Sequence, residues 1–346
     1  MSHSLFRQRQ LLFIVGPLLC VITLSACGGG GSGVSPRPTA TPTATTAPTP
    51  TGAGLLVFAL APEGAVDASQ TDIYSMKPDG SNLTRLTTSA PDVAGNVQPQ
   101  GSPALSSDRS RIVYVSVSFV DGAGQSQLKT MNVDGTNARV VANTSGASAP
   151  TWSPDGTRIA FSQGNDGVFL IGADGSGLRR LTDKGANPSW STTNRIAFNA
   201  APGVRASAAL ALTRQSRGVL PPTTSTYTDI WTIGADGSAL RQLTQQNQTE
   251  TGLASINPAW SPDGKTLVFN SVPGSGVPAQ LFLINADGTN RRSLGGLSGT
   301  DAAWSPDGSR IIYSAESGLS FANADGSNPT TLNTPDGLFV EDTDWR

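Results

Sequence analysis

The chain has 346 residues, with 23 Lys and Arg, 25 Asp and Glu, one His and two Cys. Charged residues make up 14%, well below the roughly 25% of ordinary soluble domains, whereas the 39 Gly and 24 Pro residues are abundant. This composition disfavours a helical protein and predicts many short strands joined by turns. The near-neutral charge argues against nucleic acid as a partner, because phosphate binding requires a basic surface.

The first 26 residues are typical of an export signal. Arg7 and Arg9 precede the apolar run 11–24, which is shorter than the roughly 20 residues that a membrane-spanning helix needs. The run ends in Leu-Ser-Ala-Cys at 24–27, which resembles the lipobox of bacterial lipoproteins. The resemblance implies that Cys27 is lipidated, becomes the new N-terminus and anchors the protein to a membrane. A plain secretory signal followed by a chance Cys is the alternative.

Cleavage before Cys27 would also remove His3 and Cys20, the only His and the only other Cys. The remaining chain could not form a disulfide framework. It would also lack the imidazole of a Ser-His-Asp triad, the pair of a Cys-His nucleophile and the ligands of a His-bound zinc ion. We therefore expect no cofactor and no metal.

Residues 27–52 are the second predicted segment and consist almost entirely of Gly, Ser, Thr, Ala and Pro. Alternating Pro and Thr favour extended polyproline II, a semi-rigid spacer of about 3.1 Å per residue. We expect this tether to display the third segment, residues 53–346, outside the cytoplasm, in the periplasm or at the cell surface.

Residues 53–346 repeat one unit. The sequence Trp-Ser-Pro-Asp-Gly or a degenerate copy of it begins at six positions: Leu105, Trp152, Trp190, Trp260, Trp304 and the bare Trp345. A second motif, an Asp-Gly pair followed by a polar stretch, recurs once in each unit, at 79, 134, 174, 236, 287 and 325. Both motifs favour tight turns, and β-branched or aromatic runs such as 158–162 and 229–233 lie between them. Each unit therefore predicts four short antiparallel strands, A to D.

Four-stranded units of this kind stack radially into a β-propeller. Residues 55–58 have the pattern of a strand B with no strand A before it, and residues 344–345 that of a strand A with no strand B after it. Pairing these two segments would complete a sixth blade and leave no open sheet edge. The predicted fold class is all-β: a six-bladed propeller of four-stranded antiparallel blades, closed by its two terminal strands.

The Trp-Ser-Pro-Asp-Gly copies, together with the Ile-Ala-Phe and Leu-Arg-x-Leu-Thr runs, resemble the WD-like repeat of the TolB propeller family over residues 55–346. The resemblance implies the propeller fold. It implies less about function, because the family is used mainly as a scaffold. TolB proteins carry an N-terminal α/β domain, and here we expect a lipid anchor and tether in its place.

The strand order predicts which loops share a face. The A–B and C–D turns emerge on one side, which we call the turn face, and the B–C and D–A connections emerge on the other, the loop face. Length variation falls on the loop face, at 61–71, 88–102, 118–127, 200–228, 245–257 and 272–280. Variable loops on a rigid scaffold usually carry binding, so we expect the loop face to be the binding face. The insert 200–228 is either a binding arm or an insert without a ligand.

The candidate binding residues come from these loops and from the predicted channel mouth: Asn96, Gln98, Asn187, Arg205, Arg214, Arg217, Asn257, Asp301, Glu341, Asp342 and Asp344. The acidic group of Asp301, Glu341, Asp342 and Asp344 could perform glycosidic acid–base chemistry or bind a hard cation. A solvated acidic rim or turn capping is the favoured explanation, because the group has no EF-hand-like spacing.

Other repeated residues have structural explanations. The Trp residues recur at one position of the repeat, which predicts packing between blades. Asp155, Asp263 and Asp307 each lie within a turn. Arg residues recur on strand D, where charge discourages edge-to-edge pairing.

Two functions remain open. The first is a non-catalytic, lipid-anchored envelope scaffold whose propeller binds a protein, a peptide or a cell-wall glycan. The alternative is an extracytoplasmic carbohydrate-active enzyme that uses carboxylates at the channel mouth and requires two of them about 5–10 Å apart.

Overall fold

The computed structural model describes residues 54–60, 71–89, 99–120, 123–144, 146–164, 166–206, 228–245, 253–273, 278–315, 318–332 and 340–346. These residues form 24 strands and no helix. The strands are β1 (Leu56–Leu60), β2 (Asp72–Met76), β3 (Thr84–Arg85), β4 (Gln100–Leu105), β5 (Arg111–Val120), β6 (Ala123–Asn132), β7 (Arg139–Thr144), β8 (Ala147–Trp152), β9 (Arg158–Gln163), β10 (Val168–Gly172), β11 (Arg179–Arg180), β12 (Ala186–Trp190), β13 (Arg195–Ala200), β14 (Asp229–Gly234), β15 (Arg241–Gln242), β16 (Leu253–Trp260), β17 (Thr266–Pro273), β18 (Gln280–Asn285), β19 (Arg292–Ser298), β20 (Thr300–Trp304), β21 (Arg310–Ala315), β22 (Gly318–Asn323), β23 (Thr330–Thr331) and β24 (Val340–Trp345).

The strands form six antiparallel sheets of four strands, which are the blades. Blade 1 has the order β24-β1-β2-β3, and blades 2 to 6 are β4–β7, β8–β11, β12–β15, β16–β19 and β20–β23. Strand A of each blade contacts strand A of the next, from β4 through β8, β12, β16 and β20 to β24, and β24 contacts β4. The strands A therefore form the closed inner ring of a six-bladed β-propeller, as the sequence predicted.

The two ends of the propeller pair with each other. Leu56 lies opposite Trp345 and Val57 lies opposite Asp344 in the antiparallel ladder between β1 and β24. The Leu55 N–H donates to the Arg346 carbonyl at 2.8 Å, and the Arg346 N–H donates back to Leu55 at 3.2 Å. The predicted closure of the ring is confirmed.

The hydrophobic core is divided into six clusters, each shared by two neighbouring blades. Trp152 is fully buried against Ala104 and Val113 of the preceding blade, and its Nε1–H donates to the Ala104 carbonyl at 3.1 Å. Trp304 makes the equivalent bond to Ala259. Five clusters hold one Trp of the repeat, and the sixth holds Leu105 in its place. The prediction that the Trp residues pack between blades is confirmed.

The aspartates of both turn motifs bond within their own turns. Asp155 accepts hydrogen bonds from the Ser153 hydroxyl at 2.5 Å and from the Thr157 N–H at 3.0 Å, and these bonds lower its pKa to about 2. Asp174 accepts in the same way from the N–H and hydroxyl of Ser176. The turn interpretation of these carboxylates is confirmed.

One predicted loop is wrong. Residues 118–120 and 123–127 belong to two long paired strands, in which β5 and β6 stay paired from Arg111 opposite Asn132 to Val120 opposite Ala123. The alternating Val, Ser and Gln side chains of this stretch are compatible with a strand that extends past the body of the blade. The loop face therefore carries two paired strands at blade 2.

The arginines of strand D also form hydrogen bonds to the neighbouring blade. The Arg241 guanidinium donates from Nη2 to the Asp287 carbonyl at 2.6 Å, Arg139 donates to Ala173 at 3.5 Å, and Arg179 donates to Ala235. Each acceptor lies in the C–D turn of the next blade. These contacts, which we call arginine latches, connect the outer parts of neighbouring blades.

Residues 1–53, with the predicted signal, the lipidation site Cys27 and the whole predicted tether, lie outside the described residues. In the part of the chain that is described, no helix has the length and apolar character needed to cross a bilayer.

Candidate functional site

A ring of six β-bulges lies along the strands A at the centre of the propeller. One residue in each strand takes a left-handed backbone conformation, with φ between 46° and 53°. These six bulge-ring residues are Ser102, Ala149, Asn187, Asn257, Asp301 and Asp342. Each precedes by three residues the Trp, or Leu105, that begins the turn motif. All six are half-buried.

The residue types fit this geometry. Positive φ costs most side chains energy, and Asn and Asp tolerate it better than others because their short polar groups can bond locally. Asn or Asp occupies four of the six positions. A bulge re-aims side chains and is frequent beside functional sites. Because each strand A begins at a D–A connection, the ring lies in the half of the inner wall nearest the loop face.

Hydrogen bonds connect the bulge ring across three blades. Asn187 of blade 4 donates from Nδ2 to Asn257 Oδ1 of blade 5. Asn257 donates in turn to Asp301 Oδ1 of blade 6 at 2.8 Å. These side chains therefore alternate donors and acceptors along one edge of the channel mouth.

The chain of bonds continues past the closure of the propeller. The Thr343 hydroxyl donates to the Asp301 carbonyl, and Asp342 Oδ2 accepts from the N–H of Ser102 at 3.0 Å and from its hydroxyl at 2.9 Å. Burial raises the pKa of the Asp342 carboxyl, although the two bonds from Ser102 oppose the rise. Ala149, in blade 3, is the one bulge-ring position without a polar side chain.

A second row of polar residues on strands B supports the ring. Ser162 Oγ accepts the Asn187 N–H at 3.0 Å, and Asn199 Oδ1 accepts the Asn187 side-chain amide at 3.1 Å. The equivalent Asn270 is fully buried, and its Oδ1 has no hydrogen-bond partner among the described residues. The Ser314 Oγ atom is also buried and has no hydrogen-bond partner among the described residues. Buried polar atoms without partners are rare in folded proteins and mark places where water or a ligand binds.

The structure brings four of the predicted site residues together: Asn187, Asn257, Asp301 and Asp342 share the bulge ring. Asp344 does not join them, because its Oδ2 accepts the Leu105 N–H at 2.7 Å and pairs with Arg346 at 3.4 Å. Its role is to hold the closure of the propeller against blade 2. Glu341 lies in β24, where its backbone pairs with Ala59 of β1.

The predicted loop residues are placed only in part. Arg205 is exposed, and its N–H donates to Asp183 Oδ1 at 2.7 Å. The remaining candidates, Asn96, Gln98, Arg214 and Arg217, lie outside the described residues. Their predicted binding role stays a prediction.

Ser102 and Ala149 are ring positions that the sequence reading missed. The available signal was the fixed spacing of three residues before each Trp or Leu105, reinforced by a Pro directly after the ring residue in four of the six repeats. Aligning the repeats on Trp would have found all six.

The side chains of this ring offer hydrogen-bond donors and acceptors. Within the described residues, no group of three or more His, Cys, Asp or Glu side chains is arranged to hold a metal ion. Amide donors, amide acceptors and two carboxylates line the mouth, which suits a polar ligand such as a peptide backbone or a sugar.

Comparison with known proteins agrees with the fold. No protein-family model matches the chain. The chain is 28% identical, over 120 residues, to the Tol-Pal system protein TolB of Thioalkalivibrio sulfidiphilus (strain HL-EbGR7). That stretch covers 34% of this chain and 27% of the relative, so it spans about a quarter of the relative's length.

Two solved structures share the architecture. TolB from Acinetobacter baumannii superposes with a TM-score of 0.63 at 18% identity, over 84% of this chain and 66% of that one. A TolB-like protein from Agrobacterium tumefaciens gives a TM-score of 0.53 at 16% identity, over 85% and 98% of the two chains. The predicted resemblance to TolB is therefore confirmed by a short sequence match and by the shared six-bladed propeller fold.

Proposed function

We propose that this chain is a non-catalytic envelope scaffold whose loop face binds a protein partner, with the bulge ring at the channel mouth as the central contact. The observation that carries the proposal is the bonded set Asn187, Asn257 and Asp301, half-buried at the mouth of a closed propeller. Rigid strands hold these side chains, and a preformed polar surface lowers the entropic cost of binding.

The sequence supports placing this scaffold outside the cytoplasm. The predicted export signal and the lipobox ending at Cys27 imply a membrane-anchored lipoprotein, and the match to a Tol-Pal system protein favours the cell envelope. A tether over 27–52 would let the loop face reach a partner at a distance from the membrane.

The bonding of the carboxylates favours binding over catalysis. A glycosidase needs two carboxyl groups that act directly on the substrate. Asp344 is engaged by a backbone N–H and by Arg346. Asp301 and Asp342 accept hydrogen bonds from Asn257 and Ser102. These contacts give each carboxylate a role in holding neighbouring blades.

The test is affinity capture from an envelope extract with two matched variants. Asn257→Gly removes a ring side chain and keeps a backbone that accepts positive φ. Asn290→Gly makes the same change at φ 55° in the same blade, on the exposed turn face. We expect the wild type and Asn290→Gly to retain the same protein partner and Asn257→Gly to lose it, with all three folded by circular dichroism.

Equal capture by Asn257→Gly and the wild type would overturn the assignment of the ring. Catalysis is tested separately, by incubating the wild type and Asp301→Asn with acidic and neutral oligosaccharides. Cleavage by the wild type that Asp301→Asn abolishes would overturn the non-catalytic function.

A further inference from the structure

An arginine-lined cavity of 560 Å³ lies on the turn face between blades 2 and 3, opposite to the face that carries the bulge ring. Its charged lining consists of Arg111 and Arg139 of blade 2 and Arg158, Arg179 and Asp174 of blade 3. Four cations and one anion give a formal charge of 4 − 1 = +3, in a chain whose net charge is −2. The lining is therefore positively charged, and two acids of the adjacent A–B turns, Asp108 and Asp155, attract Arg111 and Arg158 from outside it.

The four guanidinium groups are held in place by uncharged partners. Arg111 stacks on Trp152, with 4.5 Å between its Cζ and the ring centroid, and donates to the Gly156 carbonyl at 2.8 Å. Arg158 stacks on Trp190 at 5.0 Å. Arg139 and Arg179 are held by their arginine latches to the next blade. Side chains fixed in this way lose little entropy when a ligand binds.

None of these four arginines forms a salt bridge with a described residue. Arg85 with Asp72, Lys265 with Asp263 and Arg346 with Asp344 are ion pairs at other places in the described part of the chain. Asp174, the acid in the lining, accepts at Oδ1 from the N–H and hydroxyl of Ser176, and it attracts Arg139 without forming a salt bridge. Each guanidinium has five N–H donors and no acceptor. The latches and stacking contacts use few of them, and the rest are available to a ligand.

The repeat itself explains why the charge collects at this place. Arg begins strand B in blades 2 and 3, at Arg111 and Arg158, and Arg begins strand D in the same two blades, at Arg139 and Arg179. In blade 5 the residue that begins strand B is Thr266. Blade 4 also begins strands B and D with Arg, at Arg195 and Arg241, but there the Arg195 guanidinium is bonded to the Thr232 hydroxyl at 2.5 Å, within its own sheet.

We propose that this cavity binds a phosphate-bearing ligand. The planar fork of Arg matches two oxygens of a phosphate group and forms short, charge-assisted hydrogen bonds with them. A dianionic phosphate also offsets a site of charge +3 better than a single carboxylate does. The volume falls within the 300–1,000 Å³ range of small-molecule sites and exceeds the size of one phosphate, so the ligand carries an organic body. A soluble phosphate ester and a phospholipid headgroup share this chemistry.

The first experiment titrates the full-length protein with inorganic pyrophosphate in a calorimeter, at low and at high ionic strength. The site variant is Arg139→Gln with Arg158→Gln. The control is Arg241→Gln, which removes an equivalent arginine latch at a place outside the cavity. We expect saturable binding to the wild type and to Arg241→Gln, weakened at high salt. We expect affinity lower by about ten-fold or more in the site variant, because two charge-assisted contacts are lost.

A second variant separates charge from geometry. Arg158→Lys keeps the positive charge and loses the planar fork, and we expect it to bind pyrophosphate more weakly than the wild type while unfolding at the same urea concentration. Equal affinity of the wild type and the double Gln variant would overturn the proposal, as would an equal loss in Arg241→Gln.

A vesicle-binding experiment distinguishes a phospholipid headgroup from a soluble phosphate ester as the ligand. The protein is sedimented with phosphatidylcholine vesicles that contain or lack phosphatidylglycerol. Retention that requires phosphatidylglycerol, that pyrophosphate reverses and that the double Gln variant loses assigns the site to a lipid headgroup. Pyrophosphate binding without such retention assigns it to a soluble phosphate ester. Failure of the wild type to bind both pyrophosphate and the phosphatidylglycerol vesicles would overturn the proposal.

Discussion

Asn257 donates a 2.8 Å hydrogen bond from its side-chain amide to the Asp301 carboxylate, across the boundary between blades 5 and 6. Both residues have φ of 51°, and both stand three residues before a Trp that packs between blades. The strained backbone position and the polar contact therefore belong to the same residue, and substitutions can separate the two contributions.

Replacing Asn257 tests that separation. Asn257→Ala loses the amide contacts and places a Cβ-bearing residue without a polar group at positive φ, so we expect a loss of about 2–3 kcal/mol in the free energy of unfolding. Asn257→Gly loses the same contacts without the conformational cost, and we expect it to be about 1 kcal/mol more stable than Asn257→Ala. Urea unfolding at neutral pH measures both. An Ala variant as stable as the Gly variant would contradict the argument.

The interblade Trp residues are expected to dominate stability. Trp152 is fully buried and bonded to Ala104, so Trp152→Ala creates a cavity and leaves a carbonyl without its donor. We expect a loss of about 3–5 kcal/mol. The control is Leu178→Ala, at a position where 53% of the side chain is exposed, and we expect a change within about 0.5 kcal/mol. Thermal and urea unfolding of the two variants give the comparison.

Closure by β24 is expected to be required for a cooperative fold. Trp345 packs edge-on against Phe321, with 5.4 Å between ring centroids, and β24 pairs with β1. Deleting residues 340–346 exposes both, and we expect loss of a single sharp unfolding transition and self-association in gel filtration. Deleting the predicted signal and tether, residues 1–52, is the control, and its unfolding midpoint should match that of the full chain. A sharp, unchanged transition after the first deletion would refute the role of β24.

The turn aspartates predict acid sensitivity. Ten of them have a pKa below the ordinary value of 3.8: Asp79, Asp108, Asp134, Asp155, Asp174, Asp236, Asp263, Asp287, Asp307 and Asp325. For a carboxyl whose pKa is lowered by folding, the unfolded chain binds protons first as the pH falls. The stability from these groups is therefore complete above about pH 4 and is lost towards about pH 2, the pKa of Asp108 and Asp155.

Asn substitution provides the check on this pH dependence. Asp108→Asn with Asp155→Asn keeps a side-chain oxygen that accepts the turn N–H, and it removes two titrating groups. We expect the free energy of unfolding of this variant to fall less steeply between pH 4 and pH 2 than that of the wild type, as followed by urea titrations at each pH. Parallel curves would show that these carboxylates do not set the acid limit.

The fold was predictable because its signals repeat. Each Trp and each Asp-Gly marks one position of the blade, and the unpaired strand patterns at 55–58 and 344–345 identified the closure. Residues 118–120 and 123–127 are strands where the sequence predicts a loop, because their Ser, Gln and Gly residues are typical of loops. Pairing with a partner strand determines their structure, and local sequence does not encode that pairing.

The candidate site was predictable only in part. Asn187 and Asp301 drew attention as polar residues near predicted loops, whereas Ser102 and Ala149 did not, because a bulge is a property of backbone pairing rather than of residue type. Asp344 was assigned to the acidic group by proximity in sequence. In a regular strand, residues two apart point to the same face, which would place Asp342 and Asp344 together. The bulge in β24 changes this, and the two carboxylates bond to different partners.

The pairing of Leu56 with Trp345 places a kinetic demand on biosynthesis. A chain that emerges from its N-terminus makes β1 early and β24 last, so blade 1 stays without its inner strand until translation and export of the propeller are nearly finished. Joining such distant segments is slow because of its entropic cost. During that interval the apolar residues of β1 are unprotected, so chaperone holding in transit should matter more for this propeller than for a protein whose blades each close on local sequence.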